Sequence, residues 1–209
     1  MMFPPVTPVV KNLIIINVAV FFGTIFIMGL DGRMIFALYY PASTFFRPFQ
    51  LITHMFMHAN ITHLLSNMLG LYFFGSALEM VWGPQRFLQF YLLSGLGALL
   101  GHLIYWYFSF HAQGPEMYEV FIHSRISMMG ASGCVFGLVV GFGLLFPNNP
   151  ITLFPIPITF PAKWLVPGYI ALALFGGVGI DPGQINIAHF AHLGGALAGF
   201  IMILLWKKF

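Results

Sequence analysis

Charge is what this sequence has least of. Of its 209 residues, 8 are Lys or Arg and 5 are Asp or Glu, 6% together. A soluble domain carries about 25%. With 59% hydrophobic residues and a mean hydropathy of +0.91, the chain cannot coat a globule with polar surface. That excludes a water-soluble domain and leaves an integral membrane protein. Cysteine is nearly absent too. The single Cys134 excludes an intramolecular disulfide and reads as a small buried filler in a glycine-rich run. Apart from Lys207-Lys208 there is no basic run, and a net charge of +3 is too diffuse to hold nucleic acid. No HExxH motif occurs and the one acid near a span, Glu79, lies at its inner end away from the histidines, so no metal or other cofactor is expected. Eight histidines keep a metal site open as an alternative, with His54, His58 and His63 near one another and His189 close to His192. The first eleven residues lack a basic start and a small-residue cleavage site, which predicts no cleaved signal peptide.

What is abundant is apolar sequence in lengths that suit a bilayer. A spanning helix needs about 20 mostly apolar residues. Six candidates meet or approach that length, at about 10–30, 62–81, 87–108, from 132 to just before the Pro147 loop, 163–178 and 187–206. The reading is all-α: a polytopic bundle of six transmembrane helices forming a single domain over 1–209. The fourth helix, starting at about 132, is short and rich in glycine, as suits a central helix shielded from lipid. An outer loop at about 31–61 is rich in aromatics, which favour the membrane interface. A second long connection runs over 109–129, and residues 147–161 form a proline-punctuated inner loop. With both termini in the cytoplasm, Lys11, Arg86, Lys163, Lys207 and Lys208 fall inside and Arg33, Arg47 and Arg125 outside, a modest bias toward the side that favours cations. Glu79 and Arg86 are placed to pair at the inner boundary.

Polar groups inside spans are costly and mark candidate sites. Three sets stand out, all toward the outer side. His63 and Asn67 are four apart and share a helix face, where both can donate hydrogen bonds to one point. Taken alone, that pair is better explained by interhelical bonding. Ser132 sits in "GASG" at a helix start. A serine there is commonly an N-cap or a packing residue. Yet Gly130 and Gly133 leave room for a substrate backbone, and a helix N-terminus offers unpaired N–H groups to a developing oxyanion. His189 and His192 open the last helix on roughly one face, and Gly195 and Gly199 follow at small-xxx-small spacing. If that stripe meets Gly133, Gly137 and Gly141 of the fourth helix, His192 comes within reach of Ser132. Phe136, one turn below Ser132, is placed to stack on the imidazole. These parts fit a serine hydrolase: Ser132 as nucleophile, His192 as base, and the Ser132 N–H, His63 and Asn67 as oxyanion donors. No carboxylate neighbours His192 in sequence, so the site is a dyad. A non-enzymatic binding protein or channel also accounts for the glycines and histidines, but gives Ser132 no task.

"GASG" at 130–133, the HxxxN of His63 and Asn67, and "AHLGG" at 191–195 together resemble the rhomboid family of intramembrane serine proteases. "THMFMHANITH" and "EMVWGPQRF" resemble its patterns as well. The resemblance implies that Ser132 and His192 are the dyad, that His63 and Asn67 stabilise the oxyanion, and that the substrates are transmembrane proteins cleaved in or beside the lipid bilayer. It implies no metal and no ATP. The family often carries Trp-Arg in its first outer loop, where Phe46-Arg47 stands here, and often a tyrosine where Phe136 stands. It implies the bare six-helix core without the extra cytoplasmic domain, in a bacterial plasma membrane.

Overall fold

The computed structural model describes residues 5–29, 32–153, 158–168 and 182–206. It is built mainly of helices: α1 (Pro8–Met28), α2 (Gly32–Phe36), α3 (Gln50–Thr53), α4 (Ile61–Gly70), α5 (Ser76–His111), α6 (Pro115–Ile122), α7 (Ser132–Leu145) and α8 (Pro182–Trp206). One two-stranded antiparallel hairpin, β1 (Pro150–Leu153) and β2 (Ile158–Pro161), lies within the proline-punctuated inner loop.

α1 starts with Pro8, whose fixed φ suits a first helical position, and stops at Gly29 with φ +72°. At about 1.5 Å per residue its 21 residues cover the hydrocarbon thickness. Thr7 makes no capping bond to its own helix. The start of α1 is instead held by Glu79, whose carboxylate accepts hydrogen bonds from the Thr7 hydroxyl and from the Val9 and Val10 N–H groups, the latter two at 2.9 Å. This corrects the expected Glu79–Arg86 pair: the buried acid caps a helix some seventy residues away, and Arg86 is exposed.

Residues 61–111 run as one helical stretch through α4, a single π-helical turn at Leu71–Gly75, and α5. Its 51 residues are too long for one crossing. Gly83 breaks it, with φ +76° and ψ 168°, and Pro84 follows. The chain doubles back there, because Gly75 lies against the ring of Phe87. The second and third expected spans are thus the two sides of this break. The third reaches His111, and α6 fills part of the connection that follows.

α7 has 14 residues, too few to cross alone, and most of it is buried. It lies among α5, α8 and the π-helical turn, as expected for a central helix. α8 begins at Pro182, five residues earlier than the sequence suggested. By length and composition the described residues hold three stretches able to cross a membrane, 8–28, 61–111 and 189–206, besides the shorter α7. The expected fifth span lies mostly outside the described residues; its first part carries a 3-10 turn at Ala162–Trp164 and helical residues 165–168.

Lipid tails are as apolar as leucine, so burial from water does not drive such helices together; close packing does. The centre is filled by Phe87, Phe90, Tyr91 and Leu138, all fully buried, and the seams by glycine. A Cβ on Gly199 would stand 2.9 Å from the Cα of Gly137, and one on Gly195 would run into the Gly133 backbone. On another face of α8, a Cβ on Gly194 would collide with the Gly97 carbonyl of α5. α8 is therefore clamped between α7 and α5 with backbone nearly touching backbone.

Candidate active site

The α7–α8 seam sets the site. Gly195 of α8 is pressed on Gly133 of α7, and three residues before Gly195 stands His192. Its Nε2 lies 2.7 Å from the Oγ of Ser132, the first residue of α7. Because α7 begins at this serine, the first N–H groups of the helix have no intrahelical acceptor. The Phe136 ring stacks at a tilt on the imidazole, with 4.3 Å between centroids and 38° between planes. The expected encounter of the two glycine stripes, and the placement of Phe136, are both present in the geometry.

The segment leading into Ser132 is held by the outer loop. Met128 and Leu38 exchange both backbone hydrogen bonds at 2.8 Å, and the Gly130 N–H donates to the His54 carbonyl at 2.9 Å. Gly130 takes φ +132°, which a side chain would strain. A Cβ there would also lie 2.8 Å from His63 Cε1 and Nε2, and 3.6 Å from the Ser132 hydroxyl. The edge of the His63 ring and the nucleophile candidate therefore flank one small space that only glycine leaves open. Gly133 fits against Ala98 of α5.

Asn67 is brought less directly to this space. It is buried, and its Nδ2 donates to the His63 carbonyl at 2.8 Å, which leaves one further N–H on the carboxamide. His63 itself is fixed at the helix start: its N–H donates to the Asn60 side chain at 2.8 Å, and its Nδ1 accepts from the Ala59 N–H at 3.4 Å. His58 is fully buried, and its ring meets that of His63 edge-on at 5.1 Å. His189 is half-buried, one turn before His192.

A cavity of about 40 Å³ is lined by Ser132, His192, His54, Met55, Gly95 and Ala98, among others. That volume is enough to hold water beside the Ser132 hydroxyl. A larger cavity of about 370 Å³, between α1 and the outer loop, is wholly apolar and shares no residue with it. Of the two, only the smaller space brings a hydroxyl, an imidazole and a helix N-terminus together.

Several contributors had no clear signal in the sequence. The guanidinium of Arg47, in the Phe46-Arg47 pair, donates to the neighbouring carbonyls of Thr44 and Phe46. The residue that ties the outer loop together is Gln50, 1% exposed. Its Nε2 donates to the Ile35 and Phe45 carbonyls at 2.9 and 3.2 Å, and its Oε1 accepts from the Arg47 N–H at 3.0 Å. His54 Nδ1 donates to the Gln50 carbonyl at 2.8 Å. Burial pushes the His54 and His58 pKa values down to about 4, with His63 adding to the effect on His58. Both histidines are thus neutral in the folded chain at pH 7 and serve the base of the outer loop. Among the described residues, no three His, Cys, Asp or Glu side chains converge as a metal site. Cys134 is a free buried thiol, closely fitted to Gly95.

The family model for the Rhomboid domain matches residues 45–209. RHOMBOID-like protein 12, mitochondrial, of Arabidopsis thaliana is 37% identical over 156 residues, 72% of this chain and 44% of that protein. Rhomboid protein 1, mitochondrial, of Saccharomyces cerevisiae is 30% identical over 151 residues, 72% of this chain and 40% of that protein. The Rhomboid protease AarA of Providencia stuartii is 27% identical over 203 residues, 91% of this chain and 69% of that protein. The chain thus matches less than half the length of the plant and yeast relatives, and about two thirds of the bacterial one.

Proposed function

The chain belongs to the rhomboid family of membrane proteins, and from that premise we propose that it is an intramembrane serine endopeptidase that hydrolyses peptide bonds in or near the transmembrane segments of other membrane proteins. The observation that supports this most is the 2.7 Å contact between the Ser132 hydroxyl and His192 Nε2 at the N-terminus of a buried helix. In the proposed reaction His192 takes the Ser132 proton as Oγ attacks the scissile carbonyl. The tetrahedral oxyanion is met by the Ser132 N–H, the His63 ring and the second N–H of Asn67. His192 then gives its proton to the leaving amine, and an acyl-enzyme remains on Ser132. A water held in the small cavity beside Ser132 attacks that ester, losing its proton to His192. Ser132 is released with its proton restored.

The dyad works without a carboxylate because packing orients the imidazole. Phe136 covers one face, and the α7–α8 seam fixes the backbone of His192. The substrate must reach Ser132 as an unwound strand, since a helix keeps its amides bonded to itself. Tightness around Gly130 and Gly133 favours small side chains beside the cut. We read the bundle as six spans with both termini in the cytoplasm of a bacterial plasma membrane. The exposed cations Lys11, Arg86 and Lys163 cluster at the end opposite Ser132, and AarA matches across nearly the whole chain.

The test is cleavage of a reporter with one transmembrane segment in reconstituted liposomes. Ser132→Ala and His192→Ala are each expected to lower kcat by about 10⁴–10⁶-fold while the melting temperature holds. Asn67→Ala loses less, about 10²–10³-fold for one oxyanion donor. Cleavage by Ser132→Ala at the wild-type rate refutes the reading.

A further inference from the structure

The end of the bundle away from Ser132 gathers four features that the proposed reaction does not use. First, contacts place several elements there together. Glu79 caps the start of α1, Trp82 meets Trp206 at the end of α8 with 5.6 Å between ring centroids, and Gly143 near the end of α7 lies against the Ala162 carbonyl. Second, the cations at this end, Lys11, Arg86 and Lys163, are all exposed. Among the described residues none of them has an ion pair. Third, the acid at this end, Glu79, is buried and saturated by three donors, so it offers no anion to them. Fourth, the hairpin is tied to the end of α7. The Ala162 N–H donates to the Asn149 carbonyl and the Lys163 N–H to the Pro147 carbonyl, both at 2.9 Å.

The hairpin is two-faced. Thr152 and Thr159 are paired across the strands and share a hydroxyl bond of 2.9 Å on one exposed face. Ile151, Ile158 and Phe160 belong to the other face. Ile158 is 56% exposed, and Trp164 beside Lys163 is 57% exposed. A two-stranded hairpin with an open apolar face is marginal in water. An indole next to a lysine is a pairing suited to the boundary between headgroups and hydrocarbon.

We infer that this end is a docking surface for the headgroups of anionic phospholipids, with the apolar hairpin face and Trp164 seated at the headgroup boundary and Lys11, Arg86 and Lys163 binding the phosphates. Charge complementarity selects the anionic class: the surface offers three cations and no available acid among the described residues. Each cation near a charged leaflet raises local lipid binding by roughly fivefold. The inference depends on the membrane assignment and not on the peptidase reading.

Trp164 reports it directly. The full chain is reconstituted in phosphatidylcholine liposomes carrying about 20 mol% of a lipid brominated near the headgroup, either phosphatidylglycerol or phosphatidylcholine. The Trp164 signal is the difference between wild type and Trp164→Phe. Brominated phosphatidylglycerol is expected to quench it at least twofold more than brominated phosphatidylcholine. Lys11→Gln, Arg86→Gln and Lys163→Gln combined are expected to abolish that difference, and raised salt to shrink it. Lys11→Arg with Lys163→Arg keeps the difference, as does Arg125→Gln at the opposite end. Equal quenching by the two lipids, or a preference unchanged in the triple Gln variant, overturns the inference. So does weak quenching by both, the pattern of a face covered by a second copy or another protein.

Discussion

Two glycines in spanning helices, Gly195 in α8 and Gly23 in α1, sit in opposite surroundings. A Cβ on Gly195 would run into the Gly133 backbone, whereas one on Gly23 would meet nothing within 4 Å. The first lies in a seam closed to backbone contact, the second on the wall of a 370 Å³ apolar cavity between α1 and the outer loop. The contrast separates two ways of holding a membrane fold. The seam fixes geometry by excluding even a methyl group, and the Ser132–His192 distance is its product. On the α1 side there is slack, and polar bonds do the fastening: Glu79 holds the start of the helix, and the Gln50 network holds the neighbouring loop to itself.

The largest effect that breaks this comparison is expected from Gly195→Ala. One added carbon pushes α8 from α7, and a displacement of about 1 Å at a catalytic pair is worth roughly 10²-fold in rate. Reporter cleavage should fall at least that far, with a loss of stability of about 1–3 kcal/mol from overpacking. Wild-type cleavage by this variant would show that the seam does not set the site.

Acid should act on the other region. His54 and His58 have folded pKa values near 4 against 6.5 for the free side chain, so the unfolded chain binds protons first as pH falls. Their contribution is complete above pH 6.5 and is lost progressively between pH 6.5 and 4. The loss approaches about 3 kcal/mol for each histidine. Thermal unfolding in detergent across that range should show the decline, and His54→Gln with His58→Gln should flatten it.

Gln50→Ala tests the loop bonds alone. It strands the Ile35 and Phe45 carbonyls and the Arg47 N–H, at a cost of about 1–3 kcal/mol in melting experiments. Cleavage by the folded fraction should change less than in Gly195→Ala. Smallest of all is Gly23→Ala, which fills open space in a helix interior. It should raise stability by about 0.5–1 kcal/mol and leave cleavage unchanged.

The same contrast explains what could be read in the sequence. Glycines at spacings of four on two helices declare a close approach, and the histidine and serine carried by those helices follow from it. Phe136 was legible for the same reason, as a residue one turn from Ser132. Polar fastenings leave no such period. Glu79 lies seven residues from Arg86 and looks like its partner, yet it caps α1, because a helix start with unpaired N–H groups draws a buried carboxylate more strongly than an exposed guanidinium does. Gln50 resembles any loop glutamine until its three partners converge. The Leu38–Met128 bridge is made by backbone alone and has no side-chain signature. The spacing puts Asn67 one turn from His63, but its bond to the His63 carbonyl has no signature in the sequence.

The central claim is that close glycine packing makes His192 the base that activates Ser132. Labelling by a fluorophosphonate probe, followed by gel fluorescence on the purified protein, tests it most directly. The account predicts strong labelling of wild type, none in Ser132→Ala, and a loss of at least about 10²-fold in labelling rate for His192→Ala and Gly195→Ala. Labelling of His192→Ala at the wild-type rate would contradict it.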